Sequence, residues 1–216
     1  MKRFLLLIIV SLLAGTCLVE ASDRCASFKL EVRRAANRYL GIDYPWWYNM
    51  GVAKAESGCR EGLVSFDGGI GPYQFTPSTG VGKIIEQEFP EIDFNNSGSS
   101  IKAQAYYMSI IINRYFYRDE FKFKGVHVIN PKKYTQRCGL RLADIYQYYN
   151  GGYWLIYEAS KANTCDRIEM RANCTRGGAW VGKRYLNFCD VNYQYPQKVF
   201  DYADTYRTSS DQKRYW

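Results

Sequence analysis

The chain has 216 residues, a formal net charge of +8 and seven cysteines. This length fits one domain and is sufficient to bury a hydrophobic core. With 47% apolar and 23% charged residues, the composition excludes a disordered chain, and no apolar run is long enough for a protein with several membrane spans. The basic residues are scattered without a stripe or a recognisable binding module, so we do not expect nucleic acid as a partner.

The N-terminus is typical of an export signal. Two basic residues precede an apolar stretch, residues 4–13, that is too short to span a bilayer well. Small residues at Val19 and Ala21 predict cleavage after Ala21, so that residues 1–21 form a signal peptide. Acylation of Cys17 in a lipoprotein and an uncleaved N-terminal anchor are the two alternatives. We expect an exported protein, periplasmic or extracellular, that meets the membrane only through this segment or a lipid at Cys17.

Six cysteines remain after such a cleavage: Cys25, Cys59, Cys138, Cys165, Cys174 and Cys189. An even number in an exported chain predicts up to three disulfides, and the sequence does not choose among the possible pairings. A zinc site is the rival interpretation, but the chain has no Cys-x-x-Cys pair and a single histidine, His127. We therefore expect no metal and no other cofactor.

Apolar residues at helical spacing predict a mainly α protein. The predicted helices cover residues 28–40, 46–56, 101–117, 140–149 and 195–206. Pro45 is expected to open the second helix, Ser100 to cap the third, and Pro196 to lie near the start of the last. Residues 62–77 are glycine-rich and irregular, and residues 121–129 form either a short hairpin or a loop.

Residues 158–193 differ from the rest of the chain. They hold three of the six remaining cysteines and have weak periodicity. This pattern predicts a disulfide-braced insertion rather than a second domain. We therefore expect one helical domain over residues 22–208 that contains this small loop insertion, followed by a polar tail over residues 209–216.

Glu56, at the predicted end of the second helix, is the first candidate for chemistry. The negative end of a helix dipole disfavours an ionised carboxylate, and apolar bulk from Trp46 or Trp47 would add to this effect. A carboxyl group with a raised pKa keeps a proton available for a leaving oxygen near neutral pH. A solvated surface glutamate is the ordinary alternative.

Two other segments carry polar groups suited to a ligand. Residues 68–79 form a glycine loop that lets the backbone approach a bulky ligand closely. Tyr149 and Asn150 end a helix, where a phenol and an amide can hold a carboxyl group and a sugar. Taken singly, these segments match an ordinary turn and an ordinary helix end.

Together the segments read Glu56-Ser57, Gly68-x-x-Gly71-x-x-Gln74-x-x-Pro77-x-Thr79 and Tyr149-Asn150-x-Gly152. In this order they resemble the catalytic domain of lytic transglycosylases of the soluble, goose-lysozyme-like type. The resemblance covers residues 28–79, 100–152 and the last helix. It implies an α+β lysozyme-like fold and cleavage of peptidoglycan between N-acetylmuramic acid and N-acetylglucosamine, with a 1,6-anhydromuramic product.

The resemblance also implies a role for each matched residue. Glu56 would be the single catalytic acid and base, and Tyr149 would hydrogen-bond it. Ser57, Gln74 and Asn150 would position the sugar, and Tyr73 stands beside the glutamine where the family often has methionine. Other departures from the family pattern are Pro72, Tyr148 and Ser100-Ile101, which bear on the shape of the cleft more than on acid chemistry.

Two other functions stay open. If Asp67, or less favourably Glu61 or Asp93, activates water opposite Glu56, the enzyme is a hydrolytic muramidase. A glycan-binding or structural envelope protein without activity is the other alternative. The expected partners are peptidoglycan glycan strands, and the resemblance leaves open a secretion, conjugation or phage apparatus.

Overall fold

The computed structural model describes residues 23–78, 80–117, 121–123, 126–129 and 131–208, and only the backbone over 121–129. The predicted signal peptide with Cys17, Thr79 and the predicted tail over 209–216 lie outside the described residues. Within the described part the protein is mainly α-helical, as predicted, with two small antiparallel hairpins. None of the described helices is both long and apolar enough to cross a membrane.

In the described residues up to Ile129, the chain contains four α-helices and a hairpin. After a 3-10 turn, Arg24–Phe28, come α1 (Lys29–Leu40), α2 (Trp47–Ser57), α3 (Gly80–Glu88), α4 (Ser97–Ile110) with a π-helical continuation (Ile111–Tyr115), β1 (Phe121–Phe123) and β2 (Val126–Ile129). The helices predicted at 28–40, 46–56 and 101–117 are confirmed, and the hairpin alternative holds for 121–129.

The start of α4 differs from the prediction. Asn96 caps this helix, since its side chain accepts a 3.0 Å hydrogen bond from the Ser99 amide. Ser100 was expected to be the cap, but it lies one turn inside α4 and is fully buried. The sequence has polar residues suited to capping at both positions, four residues apart, and the helix begins directly after the earlier one.

Residues 131–208 contain five more α-helices and a second hairpin. They are α5 (Pro131–Cys138), α6 (Leu142–Gly151), α7 (Trp154–Ala162), α8 (Arg167–Ala172), β3 (Gly178–Val181), β4 (Arg184–Asn187) and α9 (Phe188–Asp204). The helix predicted at 140–149 is confirmed as α6. The predicted loop insertion, 158–193, contains regular elements, and those that lie wholly within it, α8, β3 and β4, are too short to reveal their periodicity in the sequence.

The last helix begins earlier than predicted. The Asn187 side chain accepts hydrogen bonds from the amides of Cys189 and Asp190 and caps α9, which begins at Phe188, seven residues before the predicted start at Tyr195. Pro196 therefore lies inside the helix and not near its start. A proline in a helix interior removes one backbone hydrogen bond, which is why the sequence suggested a helix start here.

Three disulfides join the six cysteines, which confirms the predicted maximum. The pairs are Cys25–Cys59, Cys138–Cys165 and Cys174–Cys189. The first ties the 3-10 turn to the residues that follow α2. The third lies within the predicted insertion and joins the segment after α8 to the first turn of α9.

The core is built around the contact of α9 with α2. Gly51 allows this close approach, because a Cβ atom there would overlap the Val199 carbonyl oxygen. Much of the remaining core is aromatic. Tyr106 is half-buried in it, and five of its aromatic residues are buried: Trp46, Trp47, Tyr107, Tyr146 and Tyr153. This packing carries residues of α9 to the end of α2, where Glu56 lies.

A buried ion-pair network fixes α6 against α8. Asp144 is fully buried and accepts two hydrogen bonds from Arg141, at 2.8 and 3.1 Å. Arg167 of α8 donates a third at 3.2 Å. The buried charge is thus paired on both oxygens, as the cost of its desolvation requires.

Candidate active site

A cleft of about 400 Å³ opens beside the last turn of α2. The three motif segments meet here, although they are far apart in the chain. The lining includes Glu56, Asp67, Tyr73, Gln74, Tyr149 and Asn150. Apart from Asp67, these are five of the six predicted site residues. The sixth, Ser57, does not line the cleft.

Glu56 lies in the last turn of α2 and is held by residues of α9. The Tyr195 hydroxyl donates a 2.5 Å hydrogen bond to Glu56 Oε1. The Tyr195 ring stacks on Tyr149, with centroids 6.4 Å apart and ring planes within 10° of parallel. One turn further along α9, Lys198 Nζ donates a 2.7 Å hydrogen bond to the Ala55 carbonyl.

Burial raises the pKa of Glu56 to about 7. The hydrogen bond from Tyr195 and the positive charge of Lys198 oppose this rise, and the negative charge of Asp67 adds to it. The group is therefore close to half protonated at neutral pH and can both give and take a proton.

The pKa of Glu56 departs from its usual value in the predicted direction, but the predicted contribution of Trp46 and Trp47 is wrong. Those two residues lie at the opposite end of α2. At a rise of 1.5 Å per residue they are roughly 14 Å away along the helix axis. Nearer aromatic residues, Tyr149 and Tyr195, surround the carboxyl group instead.

The hydrogen bond predicted between Tyr149 and Glu56 is wrong. Tyr149 donates instead to the main-chain carbonyl of Tyr73, at 3.2 Å, and Tyr195 takes the predicted role. Tyr149 still lies close enough for the charge of Glu56 to help raise its pKa, after burial as the main cause. It thus forms a neutral wall of the cleft and supports the Tyr195 ring.

Ser57 lies beneath the cleft rather than on its surface. It is 3% exposed, and its hydroxyl donates a 2.9 Å hydrogen bond to the Pro72 carbonyl. The same oxygen accepts a 3.0 Å hydrogen bond from the Arg60 amide. Ser57 therefore ties the end of α2 to the glycine loop, and the expectation that it positions a sugar is not met by this geometry.

Gln74 has a strained backbone, with φ of 54° in the left-handed region. Its side-chain nitrogen donates to the Gly71 carbonyl at 2.8 Å and to the Leu63 carbonyl at 3.2 Å. These bonds hold the loop in shape and leave Oε1 as the atom that a ligand can use. Strain of this kind, about 1–3 kcal/mol, is concentrated at functional sites in proteins.

Tyr73 and Asn150 contribute in different ways. Tyr73 is 1% exposed, so it forms the floor of the cleft and offers no stacking face; its hydroxyl has no partner among the described residues. Asn150 is exposed at the end of α6, and its Oδ1 accepts a 3.2 Å hydrogen bond from Asn192. Its amide N–H groups remain as donors to a ligand.

Asp67 is the one of the three alternative carboxylates that lines this cleft. It is exposed and accepts a 2.5 Å hydrogen bond from the Ser65 hydroxyl. Glu61 accepts from the Ser97 amide at the start of α4, and Asp93 accepts from the Asn95 amide. These two carboxylates therefore serve local backbone structure.

The sequence assigned no functional role to Tyr195 or Lys198. Both lie in the last helix, 139 and 142 residues after Glu56, and no motif marks them. Only the packing of α9 on α2 brings them to the carboxyl group. Their separation by three residues, which places them on one helix face, is the single sequence signal.

Among the described residues, one group has the side-chain types and spacing of a metal site: Glu158, Cys174 and Cys189. The two cysteines form a disulfide with each other, so they offer no thiolate to a metal. The cleft itself contains carboxyl, amide and phenol groups suited to a polar organic ligand such as a sugar. A scan of protein-family models and a search of curated proteins each found no match to this chain.

Proposed function

We propose that this protein is an exported lytic transglycosylase that cleaves the β-1,4 bond between N-acetylmuramic acid and N-acetylglucosamine in peptidoglycan. The observation that carries this proposal is the meeting of three motif segments around one half-buried carboxyl group, Glu56, whose pKa is raised to about 7. Amide groups of Gln74 and Asn150 line the same cleft as possible contacts for sugar acetamido and hydroxyl groups.

The proposed reaction uses Glu56 twice. Protonated Glu56 donates its proton to the glycosidic oxygen as the bond from that oxygen to the muramic C1 breaks, and positive charge develops at C1. The Glu56 carboxylate then takes the proton of the muramic 6-hydroxyl as O6 bonds to C1 and closes the anhydro ring. Glu56 thus ends the reaction protonated, as it began, and no water is consumed.

The surroundings of Glu56 suit this exchange. A carboxyl group with a pKa near the working pH serves equally well as acid and as base. Between the two steps Glu56 is negatively charged, and Tyr195 and Lys198 both favour that charged form. The substrate's own acetamido group would support the positive charge at C1.

A hydrolytic muramidase is the second candidate, because Asp67 lines the same cleft. In that mechanism a second carboxylate activates water on the opposite face of the sugar. The product then ends in reducing muramic acid, heavier than the anhydro product by one water. A non-catalytic glycan-binding protein is the remaining alternative.

Export is supported by the three disulfides, since such bonds persist in oxidising compartments such as the periplasm or the cell exterior. The net charge of +8 suits an anionic cell wall as the partner. A secretion, conjugation or phage apparatus would be the setting in which such an enzyme opens the wall locally.

The decisive experiment is a digest of purified peptidoglycan with residues 22–216, analysed by mass spectrometry. Anhydromuramic ends that disappear in Glu56→Gln support the transglycosylase. Reducing ends that disappear in Asp67→Asn support the muramidase. Binding to peptidoglycan without any product, equal in the wild type and in Glu56→Gln, would leave only the binding protein.

A further inference from the structure

The hairpin of β3 and β4, residues 178–187, exposes two aromatic rings on one face. Trp180 is 69% exposed and Tyr185 is 50% exposed. They are paired across the hairpin, and their ring centroids lie 5.5 Å apart. Exposed large aromatic side chains in contact with each other are costly in water, which points to a surface that receives a partner.

Although the two rings are exposed, their positions are restrained by the hairpin. Tyr185 lies over Gly178, where a Cβ atom would overlap the end of the Tyr185 ring. The opposite face of the hairpin carries Ala179 and Leu186, which are paired in register and half-buried. The hairpin thus presents its rings to solvent from a base that is packed against the protein.

The base of the hairpin lies next to the Asn150 end of the cleft. Arg176, two residues before β3, reaches Gly151, since a Cβ atom at Gly151 would lie 2.7 Å from Arg176 Nη1. The Arg176 guanidinium also lies over the Trp154 ring, 5.0 Å from its centroid. Asn150, which lines the cleft, is the residue just before Gly151.

The charge around the rings is positive. Lys183 lies in the turn of the hairpin, whereas Arg184 begins β4 on the face of Ala179 and Leu186. Both are exposed and form no ion pair with any residue in the described ranges. Asp190, the acidic residue that follows β4, is already paired with Arg171 at 2.6 Å. The surface therefore combines flat aromatic faces with unpaired positive charge.

We propose that this hairpin is a second glycan-binding platform, on which Trp180 and Tyr185 stack against sugar rings of a peptidoglycan strand that continues beyond the Asn150 end of the cleft. Lys183, in the turn, would pair with a carboxylate of the muramic acid or its peptide. A membrane surface fits less well, because the apolar side chains of the hairpin other than these two rings are half-buried. This inference rests on the proposed function, whose substrate is the same polymer.

The test measures binding in the absence of cleavage. Glu56→Gln protein is mixed with insoluble purified peptidoglycan, and the bound fraction is measured by sedimentation. We expect Trp180→Ala in that background to weaken binding about three- to tenfold, and Trp180→Leu to weaken it equally, because leucine has no flat ring. Trp180→Tyr is expected to bind within about twofold of the parent, and so is the control Leu30→Ala, at a residue that is 59% exposed on α1.

Each result supports or overturns the platform. Unchanged binding in Trp180→Ala overturns it, and so does full binding in Trp180→Leu or an equal loss in Leu30→Ala. Loss of binding to anionic phospholipid vesicles in Trp180→Ala, with binding to peptidoglycan unchanged, assigns the hairpin to a membrane instead. Thermal unfolding of each variant checks that the fold is intact.

The platform and the proposed function fail separately. If the wild type yields no cleavage products but Trp180→Ala weakens peptidoglycan binding, the proposed reaction is wrong and the platform stands. If cleavage products form and Trp180→Ala binds peptidoglycan as well as the parent does, the platform alone is wrong.

Discussion

Tyr195 of α9 donates a 2.5 Å hydrogen bond to Glu56 at the end of α2, across 139 residues of sequence. This bond favours the charged carboxylate in a site whose burial favours the neutral acid. The two effects oppose each other, and together they leave the pKa of Glu56 at about 7. The bond from Tyr195 therefore keeps the pKa of Glu56 below the value that burial alone would give it.

Tyr195→Phe keeps the ring on Tyr149 and removes the hydroxyl. Loss of a hydrogen bond to the charged form raises the pKa of Glu56 further, so the alkaline limb of the activity profile should move to higher pH. The rate at the optimum should fall about ten- to a hundredfold, as expected for one hydrogen bond to a charged group. Peptidoglycan cleavage measured from pH 5 to 9 checks both effects.

Lys198→Met is the matched comparison, since Lys198 also favours the charged form but bonds to Ala55 rather than to the carboxyl group. The alkaline limb of the Lys198→Met activity profile should also move to higher pH, but by less than in Tyr195→Phe. A limb that moves to lower pH in Tyr195→Phe would contradict the proposed role of the bond.

The pKa of Glu56 also makes the stability of the fold depend on pH. In the unfolded chain the group titrates near its ordinary value of 4.5, and in the native protein near 7. Between these values the native state binds more protons, so the free energy of unfolding falls as pH rises. A rise of two to three pKa units corresponds to on the order of 3 kcal/mol.

Glu56→Gln should abolish this dependence. Its stability relative to the wild type is expected to be constant below pH 4.5, to grow through the window up to pH 7, and to level off above it. Urea unfolding of both proteins at several pH values provides the comparison, in which the other titrating groups cancel. A difference that does not change with pH would show that Glu56 is solvated in the native protein.

Much of the site was predictable from local sequence, because its segments carry their own structural signals. Glu56 ends a helix, Gln74 lies in a glycine loop, and Asn150 ends another helix, and the structure brings all three to one cleft. Tyr195 was not predictable in this way. Its role arises from the packing of two helices, which no local pattern records.

The insertion shows a second limit of sequence patterns. A helix of six residues, α8, and two strands of four residues are too short to display a period. Their order comes from tertiary bonds, among them the Cys174–Cys189 disulfide and the pairing of Asp144 with Arg167. The weak periodicity of residues 158–193 therefore reflects short helices and strands and not a loop.

The Cys25–Cys59 disulfide should contribute more stability than Cys174–Cys189. It closes 34 residues against 15, which corresponds to about 4 against 3 kcal/mol in the chain-entropy model. Replacing the first pair by alanines should lower the melting temperature by about 10 °C. Cys59 comes three residues after Glu56, so this variant should also lose activity at temperatures well below its melting point.

Calorimetry and peptidoglycan cleavage on both double variants provide the check. The Cys174→Ala, Cys189→Ala variant is the comparison, with a smaller loss of stability. Equal melting of the wild type and both variants would mean that these bonds do not restrain the unfolded chain.

The buried pairing of Asp144 should be costly to break. Asp144→Ala removes the fully buried carboxylate that joins Arg141 and Arg167, which are themselves partly exposed, and a loss of about 1.5–3 kcal/mol is expected. Asp190→Ala breaks an exposed pair with Arg171 and should cost no more than about 1 kcal/mol. Denaturant unfolding of the two variants measures both values, and similar losses would contradict the contrast in burial.

Gly51 controls the distance between α2 and α9, and therefore the geometry of Glu56. In Gly51→Ala the new methyl group would overlap the Val199 carbonyl oxygen, which belongs to the backbone and cannot rotate away. The helices must separate, at a cost of about 1–3 kcal/mol. Separation also draws Tyr195 away from Glu56, so activity should fall at temperatures where the variant is still folded, and the alkaline limb should move upward as in Tyr195→Phe.

Gly98→Ala, in the first turn of α4, is the matched control. There the new methyl group would meet the end of the flexible Glu31 side chain, at 3.1 Å, which can move aside. Alanine also favours a helix over glycine by about 1 kcal/mol, so this variant should be as stable as the wild type or more so. If Gly51→Ala loses stability but keeps the wild-type pH profile, the spacing of the two helices serves the core and not the carboxyl group.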